Sequence, residues 1–374
     1  MRETPHETDR TRRSPLRKPS PFSARLSAPA IALATGAILL ASVGEAATPV
    51  AYVTSEKAGV GVIDLDKMAL EKTFSIGVSG PRGLSLSQDG TLLIVANKNT
   101  GDLAAIDTRT GRVVERVKIG KNPEYVRVRG GYAYVTYEPG ETGAPANQSG
   151  KAGAGEGEGD ADKLPAHIAI VDMKTWRVIR SVESGRETEG VEFSRDGKRM
   201  LVTNEGDDTV SVYDAHTGDA VATVKVQAGG RPRGIKASPD GKRYIVTLES
   251  LSKFVVLDAG SLNVVKTVDT KLGPYGVAFD PAGQRIFIAA ARDKTLQVFD
   301  ARTYDHLADA PIGQRCWHFS FTPDDRKLLL ACGRSDAVYV LDASTYAPIA
   351  RIGDLPLAWG IVTFPPSDGS IESR

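Results

Sequence analysis

The 374-residue chain is 41% hydrophobic and 25% charged, an ordinary globular balance. Its formal net charge of +1 gives no global electrostatic case for nucleic acid or an acidic membrane surface. With 38 Gly, 21 Pro and only 4 Met, the composition favours many short strands joined by tight turns.

Residues 1–47 read as an export signal. Arg2, Arg10, Arg12, Arg13, Arg17, Lys18 and Arg25 precede an apolar run from Ala28 to about Val43. Gly44-Glu45-Ala46 offers the small residues that a signal peptidase reads, so cleavage is expected after Ala46 or Ala47. The apolar run is short for a membrane span, a retained anchor being the alternative. TRRSPLRK (Thr11 to Lys18) is similar to a twin-arginine signal but departs from it at Pro15, and the general secretion route stays open. Either route places the mature protein in the periplasm or outside the cell, with no membrane attachment and as an expected monomer.

Beyond the signal, an apolar strand ending in Asp recurs seven times, at Asp64, Asp107, Asp172, Asp214, Asp258, Asp300 and Asp342. Successive copies lie 42–44 residues apart, except for one gap of 65 that holds an insertion. Each copy reads as four strands. A strand such as RMLVTN (Arg199 to Asn204) comes first, and the Asp-ended strand follows it. A third comes after an Asp-initiated turn, and a fourth is closed by an SPDG-type turn. Four short strands per repeat describe a propeller blade. The seven Asp residues are structural turn acceptors, because seven equivalent copies cannot form one active site.

The first strand, Ala51 to Glu56, has no inner strand before it, and the last, Trp359 to Phe364, is an inner strand with nothing after it. The expected fold is therefore an all-β, seven-bladed β-propeller over residues 48–370, with the N- and C-termini sharing one blade. Residues 138–164 are rich in Gly, Ala and acidic side chains and are expected to form a disordered insertion loop within the third repeat.

The strings YVTSE, LVTNE and YIVTLE, each followed by an Asp-ended strand and PxG, resemble the YVTN-repeat β-propellers of exported bacterial proteins. The ending AWGIVTFPPSDGSI (Ala358 to Ile371) is similar to that of the PQQ-dependent-catabolism-associated β-propeller proteins. That resemblance implies a non-enzymatic accessory factor in quinoprotein (PQQ-dependent) alcohol or carbon catabolism. Its partner would be an exported protein of the dehydrogenase system, or a small anionic ligand such as PQQ. The chain does not resemble an eight-bladed, Trp-rich quinoprotein dehydrogenase, having seven repeats and 3 Trp. It has no CxxCH motif for covalent haem attachment.

Aligned at PxG, the seven inner strands place Arg82, Glu124, Glu189, Arg233, Tyr275, Trp317 and Trp359 before the Gly position, which becomes Tyr125 and His318 in two copies. A column that is charged or aromatic in every copy, yet different in each, points away from generic packing. With Arg315, these residues form the expected ligand- or partner-binding mouth of the central channel. Arginines beside aromatic rings suit a planar anion, but Glu124 and Glu189 could instead neutralise them. A parallel ring of Glu56, Lys98, Glu138, Glu205 and Glu249 reads as solvated loop charge.

Cys316 and Cys332 flank a hairpin centred near Asp324 and, as the only two Cys of an exported chain, are expected to form a disulfide. A metal or cofactor site made with His318 is the alternative, though it lacks a fourth ligand. No nucleophile elbow, metal-binding helix motif or phosphate loop is present, and no metal site is assigned. The competing readings are a lactonase-like hydrolase, with Glu124, Glu189 or His318 as general base, and a pure docking scaffold.

Overall fold

The computed structural model describes residues 48–139 and 164–367. The export signal at 1–47 lies outside the described residues, as does nearly all of the 138–164 insertion. The described residues form seven separate four-stranded antiparallel sheets. In each sheet the fourth strand faces solvent and the inner three are largely buried, as β1 (Val50–Ser55), β2 (Gly59–Asp64) and β3 (Ala69–Phe74) illustrate. Apolar residues alternating along the inner strands pack blade against blade. Ile94, Ala96 and Leu103 of one blade, for example, share a core cluster with Val126, Ala133 and Val135 of the next.

The innermost strands are β4 (Pro81–Leu86), β8 (Val126–Arg129), β12 (Thr188–Phe193), β16 (Pro232–Ala237), β20 (Pro274–Phe279), β24 (Cys316–Phe321) and β28 (Ala358–Phe364). Each contacts the next in this order, and β28 contacts β4, so the ring is closed. Closure comes from both ends of the described chain: β28 pairs antiparallel with β1, with Ala51 opposite Thr363 and Tyr52 opposite Val362. The seven-bladed propeller with a shared terminal blade is the fold observed.

The repeat residues have the structural work expected of them. Asp107 accepts the Thr110 N–H at 2.7 Å, and Asp214 and Asp300 accept the equivalent turn N–H groups. Asp342 does the same for Ser344 and Thr345, and these bonds hold its carboxyl well below the usual range. The Thr of the YVT strings ties neighbouring blades. Thr247 Oγ1 accepts the Gly234 N–H at 2.9 Å and donates to the Tyr275 carbonyl at 2.7 Å. Thr203 bridges Gly190 and Arg233 in the same way, and Thr54 bridges Gly360 and Arg82. Inner strands approach so closely here that a Cβ at Gly83 would lie 2.4 Å from the Glu124 carbonyl oxygen. That contact explains the Gly of PxG.

Candidate functional site

Each inner strand enters the channel mouth through the same backbone device. Two residues before the variable column, the chain takes a left-handed conformation in all seven copies. These residues are Gly80, Asn122, Glu187, Arg231, Gly273, Arg315 and Leu357, with φ between 47° and 85°. Non-glycine residues in this region cost about 1–3 kcal/mol each. The column residue then falls in a β-bulge in six copies, where the pairing register shifts between Pro81 and Leu84, Thr188 and Val191, Pro232 and Ile235, Pro274 and Val277, Cys316 and His318, and opposite Val53–Ser55. Bulges re-aim side chains. All seven column residues and four of the left-handed residues, Asn122, Glu187, Arg231 and Arg315, line the mouth.

The result is a cavity of about 460 Å³. Arg82, Glu124, Glu189, Arg233, Tyr275, Arg315, Trp317 and Trp359 line it. Six carboxylates and five cations contribute to its wall. On one side, Arg82 Nε donates to Glu56 Oε1 at 2.9 Å, while its Nη1 donates to Glu124. Asn122 Nδ2 donates to Glu138 Oε1 at 2.9 Å, and Lys98 stands beside them. On the other side, Arg233 donates to Glu189 and, through Nε, to Glu249 Oε2 at 2.7 Å, and it also pairs with Glu205. Arg231 bonds Glu205 at 2.5 Å and Glu187 at 3.1 Å. Arg315 Nη1 donates to Glu249 Oε1 at 3.1 Å, and Tyr275 Oη donates to Glu189 Oε2 at 2.8 Å.

This network realises the ion-pair alternative for the arginines, since Arg82 and Arg233 are bound by carboxylates. It also corrects the reading of the second ring as solvated charge. Glu205 and Glu249 are 3% and 2% exposed and serve as the buried partners of the mouth arginines. Burial alone would raise the Glu249 carboxyl, but Arg233, Arg315 and Arg292 hold it below its ordinary value. Glu124 behaves oppositely. Burial, aided by the charge of Glu189, outweighs Arg82 and pushes its carboxyl up to about 7.

Tyr125 and His318 do not line this cavity. They sit beneath it in an aromatic plug, with His318 4.3 Å from the Trp359 ring, 5.5 Å from Tyr125 and 6.2 Å from Tyr275. Burial lowers the His318 imidazole to about 4, and its Nδ1 lies 3.2 Å from the Trp359 carbonyl oxygen. The placement removes His318 from the general-base candidates. Arg231, Glu187 and Asn122 line the cavity although they stood outside the aligned column. The Gly and Asn residues at their position were the available signal of its left-handed backbone.

Cys316 and Cys332 are opposite each other in the β24 hairpin and form a disulfide, which removes both thiols from any metal site. The bridge separates Arg315 from Trp317, two residues of the mouth. Gly333, next to Cys332, lies so close to the Trp317 ring that a Cβ there would overlap it.

The sequence model of the cytochrome D1 haem domain family matches residues 163–276. Among solved structures, the chain is similar to the periplasmic gluconolactonase of Pseudomonas aeruginosa (TM-score 0.68, 16% identity, 84% of this chain and 99% of that one). A Bacteroides uniformis protein proposed to be a 6-phosphogluconolactonase aligns with TM-score 0.67, 16% identity, and 84% and 99% coverage. Hydrazine synthase of Kuenenia stuttgartiensis aligns with TM-score 0.62, 18% identity, and 77% and 90% coverage. No curated protein matches. At these identities the structural likeness establishes the propeller fold. The expected non-enzymatic role as an accessory of quinoprotein catabolism is overturned: the fold neighbours include gluconolactonases and a synthase, and the matching family model is that of a haem domain.

The residues present do not fit a haem. Among the described residues that line the cavity there is no His, Met or Cys to serve as an axial ligand. Its two tyrosines are engaged, Tyr275 with Glu189 and Tyr137 with Ser181 Oγ at 2.7 Å. Arginines that would pair with propionates already pair with carboxylates.

Proposed function

We propose that the chain is a lactonase-like hydrolase whose reaction takes place in the channel mouth, with Glu124 as general base. The observation that carries this reading is the Glu124 carboxyl itself. It is poised near neutrality in a polar cavity of small-ligand size. Of the two carboxylates in the aligned column, Glu124 is the more open, its side chain 16% exposed against 10% for Glu189. Arg82 fixes its orientation.

In the ionised state, Glu124 takes a proton from water as the water oxygen bonds to the lactone carbonyl carbon. The carbonyl electron pair moves onto oxygen to give a tetrahedral oxyanion. When the oxyanion collapses, the ring C–O bond breaks, and the proton held by Glu124 passes to the departing ring oxygen. The product is the open hydroxy acid, and Glu124 returns to its ionised form.

A cavity of this size suits a monosaccharide-sized lactone. Tyr137 and Trp317 contribute aromatic rings to the wall, and the paired carboxylates and guanidinium groups offer hydrogen bonds to hydroxyls. The gluconolactonase fold neighbours support the same substrate class. We further infer that the protein acts in the periplasm or beyond, a reading supported by the N-terminal sequence and the disulfide. Turnover of an aldonolactone panel by wild type, set against Glu124→Gln, tests the proposal. Equal rates in the two proteins, or no turnover by wild type, would overturn it.

A further inference from the structure

One cation of the mouth stands outside the direct ion pairs of the described residues. Arg82, Arg231, Arg233 and Arg315 each bond at least one Glu. Lys98 also lines the cavity, yet among the described residues its ammonium makes no hydrogen bond and no ion pair. It is half-buried in the turn that follows the strand Leu92–Asn97. Its backbone N–H donates to the Gly80 carbonyl at 2.8 Å, which seats it beside the left-handed residue that leads into Arg82. The groups that act on it electrostatically come from four elements: Arg82, Glu56, Glu124 and Glu138. Burial, reinforced by Arg82, lowers its basicity.

We infer that Lys98 stabilises the oxyanion that forms when water adds to the lactone carbonyl. This rests on the hydrolase reading above. A cation already neutralised by a carboxylate gains little from a new negative charge. One that forms no direct ion pair gains more when that charge appears, and in a partly desolvated cavity the gain is large. Lys98 is such a cation among the described residues, although Glu56, Glu124 and Glu138 lie within electrostatic reach. Lys98 stands on the same side of the mouth as Glu124, so base and electrophile can address one carbonyl from the same wall.

The test compares wild type, Lys98→Met, Lys98→Arg and Lys98→Ala on a neutral aldonolactone, with thermal unfolding as a check on folding. The expected result for Lys98→Met is a fall of about 10²–10³-fold in kcat with KM nearly unchanged. Lys98→Arg should keep part of the rate, and added methylammonium should partly restore Lys98→Ala but not Glu124→Gln. A folded Lys98→Met enzyme with wild-type kcat would overturn the assignment while leaving the hydrolase reading intact. Absence of turnover by wild type would overturn both. A rate loss that appears only in KM, with no rescue by the amine, would make Lys98 a binding residue and also overturn the oxyanion role.

Discussion

Arg82 and Glu124 sit on neighbouring blades, and their ion pair spans the boundary between them at the channel mouth. The same boundary carries the Gly83 N–H to Glu124 carbonyl bond at 2.8 Å, so backbone and side chains lock the two strands together. Glu124 is thereby held in place by a guanidinium, yet burial keeps its proton affinity high.

One consequence is a pH dependence of stability. The Glu124 carboxyl titrates near 7 in the folded protein and near its ordinary value of 4.5 when unfolded. Between these values the folded state binds more protons, so this group contributes stability that is complete below 4.5 and lost as pH rises through about 7. Denaturant melts of wild type should lose stability across that window more steeply than melts of Glu124→Gln. Parallel curves would exclude the raised carboxyl.

Glu249 neutralises Arg233 and Arg315 from an almost fully buried position. Glu249→Ala leaves buried guanidinium charge with one partner fewer, and a loss of about 3–5 kcal/mol is expected. Chemical denaturation measures it. A change below about 0.5 kcal/mol, the usual range for a surface site, would contradict the buried network.

Thr247 bridges two blades through its hydroxyl. Thr247→Val keeps the shape but leaves the Gly234 N–H and the Tyr275 carbonyl without that partner, and should cost about 1–3 kcal/mol. The melting temperature should fall with the cooperativity of the transition unchanged.

The Cys316–Cys332 disulfide closes a loop with a sequence separation of 16. Replacing both with Ala should cost about 3 kcal/mol, by the chain-entropy account. Because the bridge lies between Arg315 and Trp317, turnover should fall as well. Non-reducing mass spectrometry showing two free thiols would remove the basis of this prediction.

Ring closure makes its own prediction. Deleting residues from Ala358 onward removes β28, strips β1 of its inner partner and opens the ring. The truncated chain should lose its cooperative thermal transition. Calorimetry showing a melt like that of the full chain would refute the shared blade.

The repeat made the fold legible. Seven Asp-ended strands at constant spacing are a packing requirement, and packing writes itself into every copy. The mouth was legible in part, because Arg82, Glu124, Glu189, Arg233, Tyr275, Trp317 and Trp359 broke a column that packing alone would have kept uniform. Two things were hidden. Alignment placed Tyr125 and His318 beside the mouth residues, but whether a side chain rises into the cavity or stacks beneath it is decided by packing against the neighbouring aromatic rings. The value of a charge is also set by burial, so Glu205, Glu249 and Lys98 looked like loop residues until the neighbouring blades closed over them.

The pH–rate profile of lactone hydrolysis, measured on wild type and Glu124→Gln, decides whether Glu124 is the general base. Wild-type kcat should rise with pH through a midpoint near 7, as Glu124 ionises. Glu124→Gln should be slower by about 10²–10⁴-fold and lack that midpoint. A profile that is flat across neutrality in wild type, or one that Glu124→Gln reproduces, would contradict that role.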